Sequence, residues 1–213
     1  MKILAIDSSG NAVSAAIADE EKIIAEYFLN FKMTHSQTLS VTFKEDDFVY
    51  FLASFFDIKT LDYIACTQGP GSFTGLRIGA AAAKGLAHGL KIKIIGVPTL
   101  EALAYNIFET DKIICPIMDA RRSQVYNAFY EFKDGKLTEI HKQDTRSIDE
   151  VISIAEESGR KVVFLGDGVP VYREKIEGHE NFIIAPQHCN MQKASTVAAL
   201  AFNYANEGKA VKC

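Results

Sequence analysis

The stretch from Tyr63 to Gly79 limits most sharply what this chain can become. Tyr63-Ile64-Ala65-Cys66-Thr67 reads as a buried strand, Gln68 to Gly75 as a glycine-rich turn, and the alanine-rich run that follows as a helix ending near Leu90. Strand, glycine turn and helix in that order can cradle an anion, because glycines admit close backbone approach and the first N–H groups of the helix are free. The same residues equally suit a tight turn in which glycine serves packing alone. No Lys-Ser/Thr pair follows the glycines, so the lysine of a P-loop is missing. Gly69, Gly71 and Gly75 are also spaced one residue too far for a dinucleotide fingerprint.

The helix predicted after this turn carries Gly79, Ala80, Ala82, Ala83, Gly85, Ala87 and Gly89. Each interior glycine costs a helix about 1 kcal/mol relative to alanine. Small side chains offset that loss by letting another backbone come close, either in the core or across a subunit interface.

With 213 residues, 48% of them hydrophobic, the chain can bury a substantial core in one large domain or two small ones. Its 23 basic and 27 acidic residues give a net charge of -4. Proteins that grip nucleic acid unaided concentrate Lys and Arg to displace counterions, so unaided nucleic-acid binding is not expected. Cys66, Cys115, Cys189 and Cys213 show no C-x-x-C spacing, and Cys66 and Cys115 fall in apolar runs, so all four read as reduced thiols. A strand pattern begins within two residues of Met1 and no window is long enough to span a membrane, which predicts a soluble, cytoplasmic protein.

Ile3–Ile6, Val13–Ala18 and Ile23–Phe28 predict an antiparallel meander. Asp7 closes the first run at Ser8-Ser9-Gly10, a turn suited to an Asx cap, to a hydrated cation or to a phosphate. Thr34 or Ser36 opens a helical pattern, broken at Lys44-Glu45-Asp46-Asp47, that reaches Phe56 with more aromatics than one face can bury. Ile92–Val97 is a further strand, and Pro98-Thr99 opens a helix expected to run to Phe108. The organisation then restarts: Ile113–Met118, Gln124–Phe132 and Leu137–Lys142 repeat the meander, Asp134-Gly135 is a hairpin turn, and Ser147 to Glu150 is a capping box. Val162–Leu165 runs into a second glycine turn, Gly166-Asp167-Gly168, and Ala194–Asn206 is a last amphipathic helix. A duplicated α/β lobe is the simplest account, with residues 1–110 and the segment 194–213 forming the first lobe and 111–193 a degenerate second one. Asp119-Ala120-Arg121-Arg122 stands where the first lobe has Asp7-Ser8-Ser9-Gly10. His35, near a helix start, reads as a capping or hydrogen-bonding group, His141, His179 and His188 have no ligand-like neighbours and read as surface residues, and no Ser/His/Asp, Cys/His or metal-ligand pattern supports a peptidase.

Taken whole, Gly69 to Gly79 (GPGSFTGLRIG) resembles the signature of the bacterial TsaB family. Thr34-His35-Ser36-Gln37-Thr38-Leu39 and Gly96-Val97-Pro98-Thr99-Leu100-Glu101-Ala102-Leu103-Ala104 resemble it at matching places. The resemblance implies the duplicated fold of actin, Hsp70 and sugar kinases. It also implies a partner of TsaD, and of TsaE, in placing threonylcarbamoyl on the adenosine beside the tRNA anticodon. In TsaD the helix opening at Thr99 carries two metal-ligating histidines; Thr99 and Leu103 stand in those places, so neither a metal nor a catalytic residue is expected. The superfamily sets an acidic residue and a hydroxyl turn against nucleotide phosphates, which makes Asp7, Ser8, Ser9, Gly69, Gly71, Ser72, Thr74 and Gly75 candidate contacts for ATP or ADP. TsaD is expected to be met by Leu39, Phe43, Phe48, Phe51 and Phe55 of the aromatic helix and by Leu76, Ile78, Gly79, Ala80, Ala83 and Ala87 of the small-residue helix. The same surfaces would form a homodimer in isolation, and tRNA would be engaged only through the complex. Two departures from the family stand out: the segment from Ser40 to Phe56 diverges, and the short terminal strand expected near Cys213 is missing. The competing expectation is an ATP-dependent small-molecule kinase of the same superfamily, using Asp7 and the glycine loop.

Overall fold

A computed structural model describes residues 1–30 and 56–212 of the chain. Two compact units are present, one formed by Met1–Thr99 with Gln192–Cys213, the other by Leu100–Met191. The aromatic segment from Thr34 to Phe55 lies outside the described residues, and with it the contacts expected of Leu39, Phe43, Phe48, Phe51 and Phe55.

The first unit is built on a five-stranded sheet of β1 (Lys2–Asp7), β2 (Val13–Asp19), β3 (Ile23–Leu29), β4 (Tyr63–Thr67) and β5 (Lys93–Val97), in the order β3-β2-β1-β4-β5. β1, β2 and β3 pair antiparallel, while β1, β4 and β5 run parallel. Continuous apolar runs mark strands covered on both faces, and β1 and β2 are buried along almost their whole length. One face is closed by α1 (Phe73–Leu90), whose Ala83 and Ala87 join Leu4, Ile6, Ile64 and Cys66 in a single cluster. Ser72 caps α1 by accepting Gly75 N–H at 3.2 Å, and Lys91, left-handed at φ 57°, ends it. The helix over Ala194–Asn206 packs on β1 and β2.

The second unit repeats the plan. β6 (Ile113–Arg121), β7 (Gln124–Lys133), β8 (Lys136–Ser147), β9 (Val162–Leu165) and β10 (Phe182–Ile184) lie in the order β10-β9-β6-β7-β8. Strand for strand this is the first sheet again, with an antiparallel meander on one side and a parallel pair on the other. Alternation along β6 divides the core. Ile113, Cys115 and Ile117 pack with α3 (Ile148–Glu157), whereas Ile114 and Met118 pack with Leu100, Leu103 and Ala104 of α2 (Thr99–Ala104). The Asp134-Gly135 turn has both residues at positive φ, 52° and 73°, and the Ser147–Glu150 capping box is complete. α4 (Val169–Ile176) follows β9, and α5 (Ala194–Asn206) returns to the first sheet, where Ala194 N–H donates to Ser14 Oγ at 2.9 Å.

Several expectations need correction. α2 stops at Ala104, not Phe108: the N–H groups of Asn106 and Ile107 bond three residues back, and Asn106 Nδ2 turns to the carbonyls of Cys189 and Met191. β8 extends to Ser147, five residues beyond the expected end. α4 and β10 were not anticipated, since one opens on Gly-Val-Pro and the other is three residues long. Val211 forms a two-bond antiparallel bridge with Ile94, so the terminal residues do reach the edge of β5. His179 Nδ1 lies 2.8 Å from Glu156 Oε1, a neighbour that the fold brings from 23 residues away.

Candidate functional site

β1, β4 and β5 end side by side, and the chain leaves β1 toward β2 on one side and reaches β4 on the other. Such a switch point, at the carboxyl ends of parallel strands, is where open α/β sheets bind ligands. Asp7 sits there, 1% exposed. Its Oδ1 accepts hydrogen bonds from Ser9 N at 2.8 Å, Ser9 Oγ at 2.6 Å and Thr67 Oγ1 at 3.3 Å. Its Oδ2 has no partner among the described residues. Burial pushes the carboxyl above the ordinary carboxylate range, against the opposite pull of Ser9 and Thr67. Thr99 Oγ1 and both amide atoms of Gln192 are likewise buried without partners.

The two candidate loops are clamped together. Ser72 N–H donates to Ser9 O at 2.7 Å, and Ser8 Oγ donates to Gly75 O at 2.8 Å. At Gly71 (φ 151°) a Cβ would stand 2.2 Å from Ser9 O, and at Gly79 it would stand 2.4 Å from Ser8 Oγ. Gly69 O accepts Thr99 N–H at 2.9 Å, tying the glycine turn to the end of β5. Of the expected phosphate contacts, Asp7, Ser8, Ser9, Gly69, Gly71, Ser72 and Gly75 therefore converge. Thr74 does not: it is exposed on the outer side of α1. The Ser8 and Ser9 hydroxyls, both buried, already donate inward, and Asp7 Oδ2, the spare atom, is an acceptor, so neither hydroxyl is left to donate to a phosphate. Thr67, Thr99 and Gln192 were missed in the sequence. Thr67 was legible in principle, since β4 runs in register with β1; Gln192 gave no signal.

Along α1 the expected interface also divides. Gly79, Ala83 and Ala87 are buried, Gly79 against Ser8 and the two alanines in the sheet's core, so they cannot meet a partner while the unit is folded. Leu76, Ile78 and Ala80 are half-buried. On the outer side Phe73, Thr74, Arg77, Ile78 and Ala81 line a groove of about 370 Å³. Phe73 is 74% exposed and the Arg77 guanidinium lies 5.3 Å from its ring centre.

Comparison with known proteins places this geometry. A family model described as TsaD: tRNA N6-adenosine threonylcarbamoyltransferase matches residues 48–211. The tRNA threonylcarbamoyladenosine biosynthesis protein TsaB of Bacillus subtilis (strain 168) is 37% identical over 194 residues, 88% of this chain and 82% of that protein. Its counterpart in Buchnera aphidicola subsp. Schizaphis graminum is 30% identical over 169 residues, 78% of each chain. Among solved structures, a Pseudomonas aeruginosa protein described as uncharacterized with similarity to peptidase YEAZ superposes with a TM-score of 0.79 at 22% identity, covering 99% of this chain and 94% of that one. The fold is thus the duplicated α/β architecture of the actin, Hsp70 and sugar-kinase group, in a protein akin to those of threonylcarbamoyl-tRNA biosynthesis. The chain belongs to the TsaB family. Among the described residues no helix is long and apolar enough to cross a membrane.

Proposed function

We propose that this chain is a non-catalytic, cytoplasmic subunit that binds TsaD, with TsaE, and so supports threonylcarbamoyl transfer to tRNA. The observation that carries the reading is the contrast between the two ends of α1's neighbourhood: a loop pair whose Ser8 and Ser9 hydroxyls are spent internally, and an outer groove with an exposed aromatic ring. Thr99 and Leu103, standing where the TsaD resemblance implies histidine ligands, are fully buried and offer no imidazole. The groove is the surface on α1 for TsaD, or for a second copy of this chain when TsaD is absent.

Gel filtration of the chain mixed with TsaD is expected to give a heterodimer, and Phe73→Ala to weaken it by about 10- to 100-fold, the effect of removing an interface anchor. Absence of the heterodimer with the unaltered chain rejects the reading. The unpartnered Asp7 Oδ2 is the one feature that favours the kinase alternative, since a carboxylate there suits a hydrated cation. Calorimetric binding of Mg-ATP, with turnover abolished in Asp7→Ala, would establish that alternative.

A further inference from the structure

The hairpin joining β6 to β7 is built from residues that resist its shape. Arg121 pairs with Gln124, leaving Arg122 and Ser123 as the two turn residues. Both have positive φ, 52° and 60°, and Arg121 before them is left-handed too, at 64°. Two positive φ values define the turn type that favours Asn-Gly or Asp-Gly, and every left-handed residue with a β-carbon costs about 1–2 kcal/mol. The β7–β8 hairpin of the same sheet meets the same demand with Asp134-Gly135. Folding alone therefore gives no reason for arginine at position 122.

The chain still supports this turn. Asp119 Oδ1 accepts Arg121 N–H at 3.0 Å, and Asp119 N–H donates to Asp167 Oδ1 at 3.3 Å, fixing the tip to the turn after β9. Both arginines are exposed, and among the described residues neither guanidinium has a hydrogen-bond or ion-pair partner. Two adjacent like charges, strained backbone and unused forks are retained together when something outside the chain uses them.

We propose that Arg121 and Arg122 dock the phosphodiester backbone of RNA. A guanidinium fork matches phosphate oxygens, and an exposed hairpin tip cannot enclose a small ligand, which needs a concave site, but it can lie along an extended polyanion. The identity of that RNA as tRNA rests on the function proposed above; the contact itself rests on the hairpin. Because the net charge is -4, the contact adds to a complex and is weak in the chain alone.

The experiment titrates labelled bulk tRNA against the chain alone at low salt and against its complex with TsaD, across a salt series, for the unaltered protein, Arg122→Asn, Ser123→Gly and Arg121→Ala/Arg122→Ala. Each lost arginine is expected to flatten the slope of log affinity against log salt by about 0.7–0.9, and the double variant to lose roughly tenfold in affinity. Arg122→Asn is expected to melt at a higher temperature while binding tRNA more weakly, and Ser123→Gly to melt higher with binding unchanged; a merely structural arginine would not separate those readouts. Unchanged affinity and slope in the double variant overturn the proposal. So do tRNA binding by neither form, a loss confined to ATP binding, or a loss that only follows weakened association with TsaD. If no heterodimer forms with any variant, the function proposed above fails, while the chain-alone titration still decides the role of the arginines.

Discussion

At the residue scale, glycine content alone says nothing about which glycine matters; what a β-carbon would meet does. Gly71→Ala and Gly79→Ala are expected to destabilise the protein by about 1–3 kcal/mol, since each methyl would be driven into Ser9 O or Ser8 Oγ. Gly85 is exposed within the same helix with nothing within 4 Å of its would-be β-carbon, so Gly85→Ala should stabilise by up to about 1 kcal/mol. Urea denaturation of the three variants checks both signs. Asp7 gives a pH-dependent contrast. Its carboxyl binds a proton more tightly folded than unfolded, so its contribution is most favourable in acid and is lost as pH rises through the raised folded value. Asp7→Asn should therefore raise the melting temperature at pH 7 and lose that advantage as the pH falls below the ordinary carboxylate value, measured by thermal melts across pH. The family resemblance, and not the spacing of the residues, grouped Asp7, Ser8 and Ser9 with the glycines. It could not show that their hydrogen bonds close on one another, because that depends on which of two loops supplies each donor.

At the element scale, legibility followed local signals. The Ser147–Glu150 box, the Asp134-Gly135 turn and the strand–glycine–helix unit each carry their instruction within a few residues, and each formed. α4 and β10 lack such signals, and α2 ends early through Asn106, whose partners lie more than eighty residues away. The spacing of small residues along α1 was readable but its meaning was not: core and interface both reward them, and only the sheet-facing position of Ala83 and Ala87 decides for the core. At the C-terminus of α1, Lys91 holds a left-handed conformation that glycine adopts without penalty. Lys91→Gly is expected to stabilise by roughly 1 kcal/mol, seen as a shift of the urea midpoint with unchanged slope.

At the scale of the whole molecule, the duplication was visible as a repeated three-strand pattern, and both sheets share one strand order. The return of α5 to β1 and β2 makes the first unit discontinuous, with Leu100–Met191 intervening. Deleting residues 192–213 should strip the cover from one face of that sheet, exposing its apolar strands; limited proteolysis is expected to degrade residues 1–99 of the truncated protein faster than residues 100–191.

This arrangement has a consequence for biosynthesis. On the ribosome, β1 and β2 emerge early, yet their covering helix is translated only after the rest of the first sheet and the entire second unit, a delay of roughly 9–35 s at ordinary elongation rates. Through that interval the nascent chain presents a sticky, half-roofed sheet, so a chaperone that shields apolar surfaces would be a natural attendant of its synthesis.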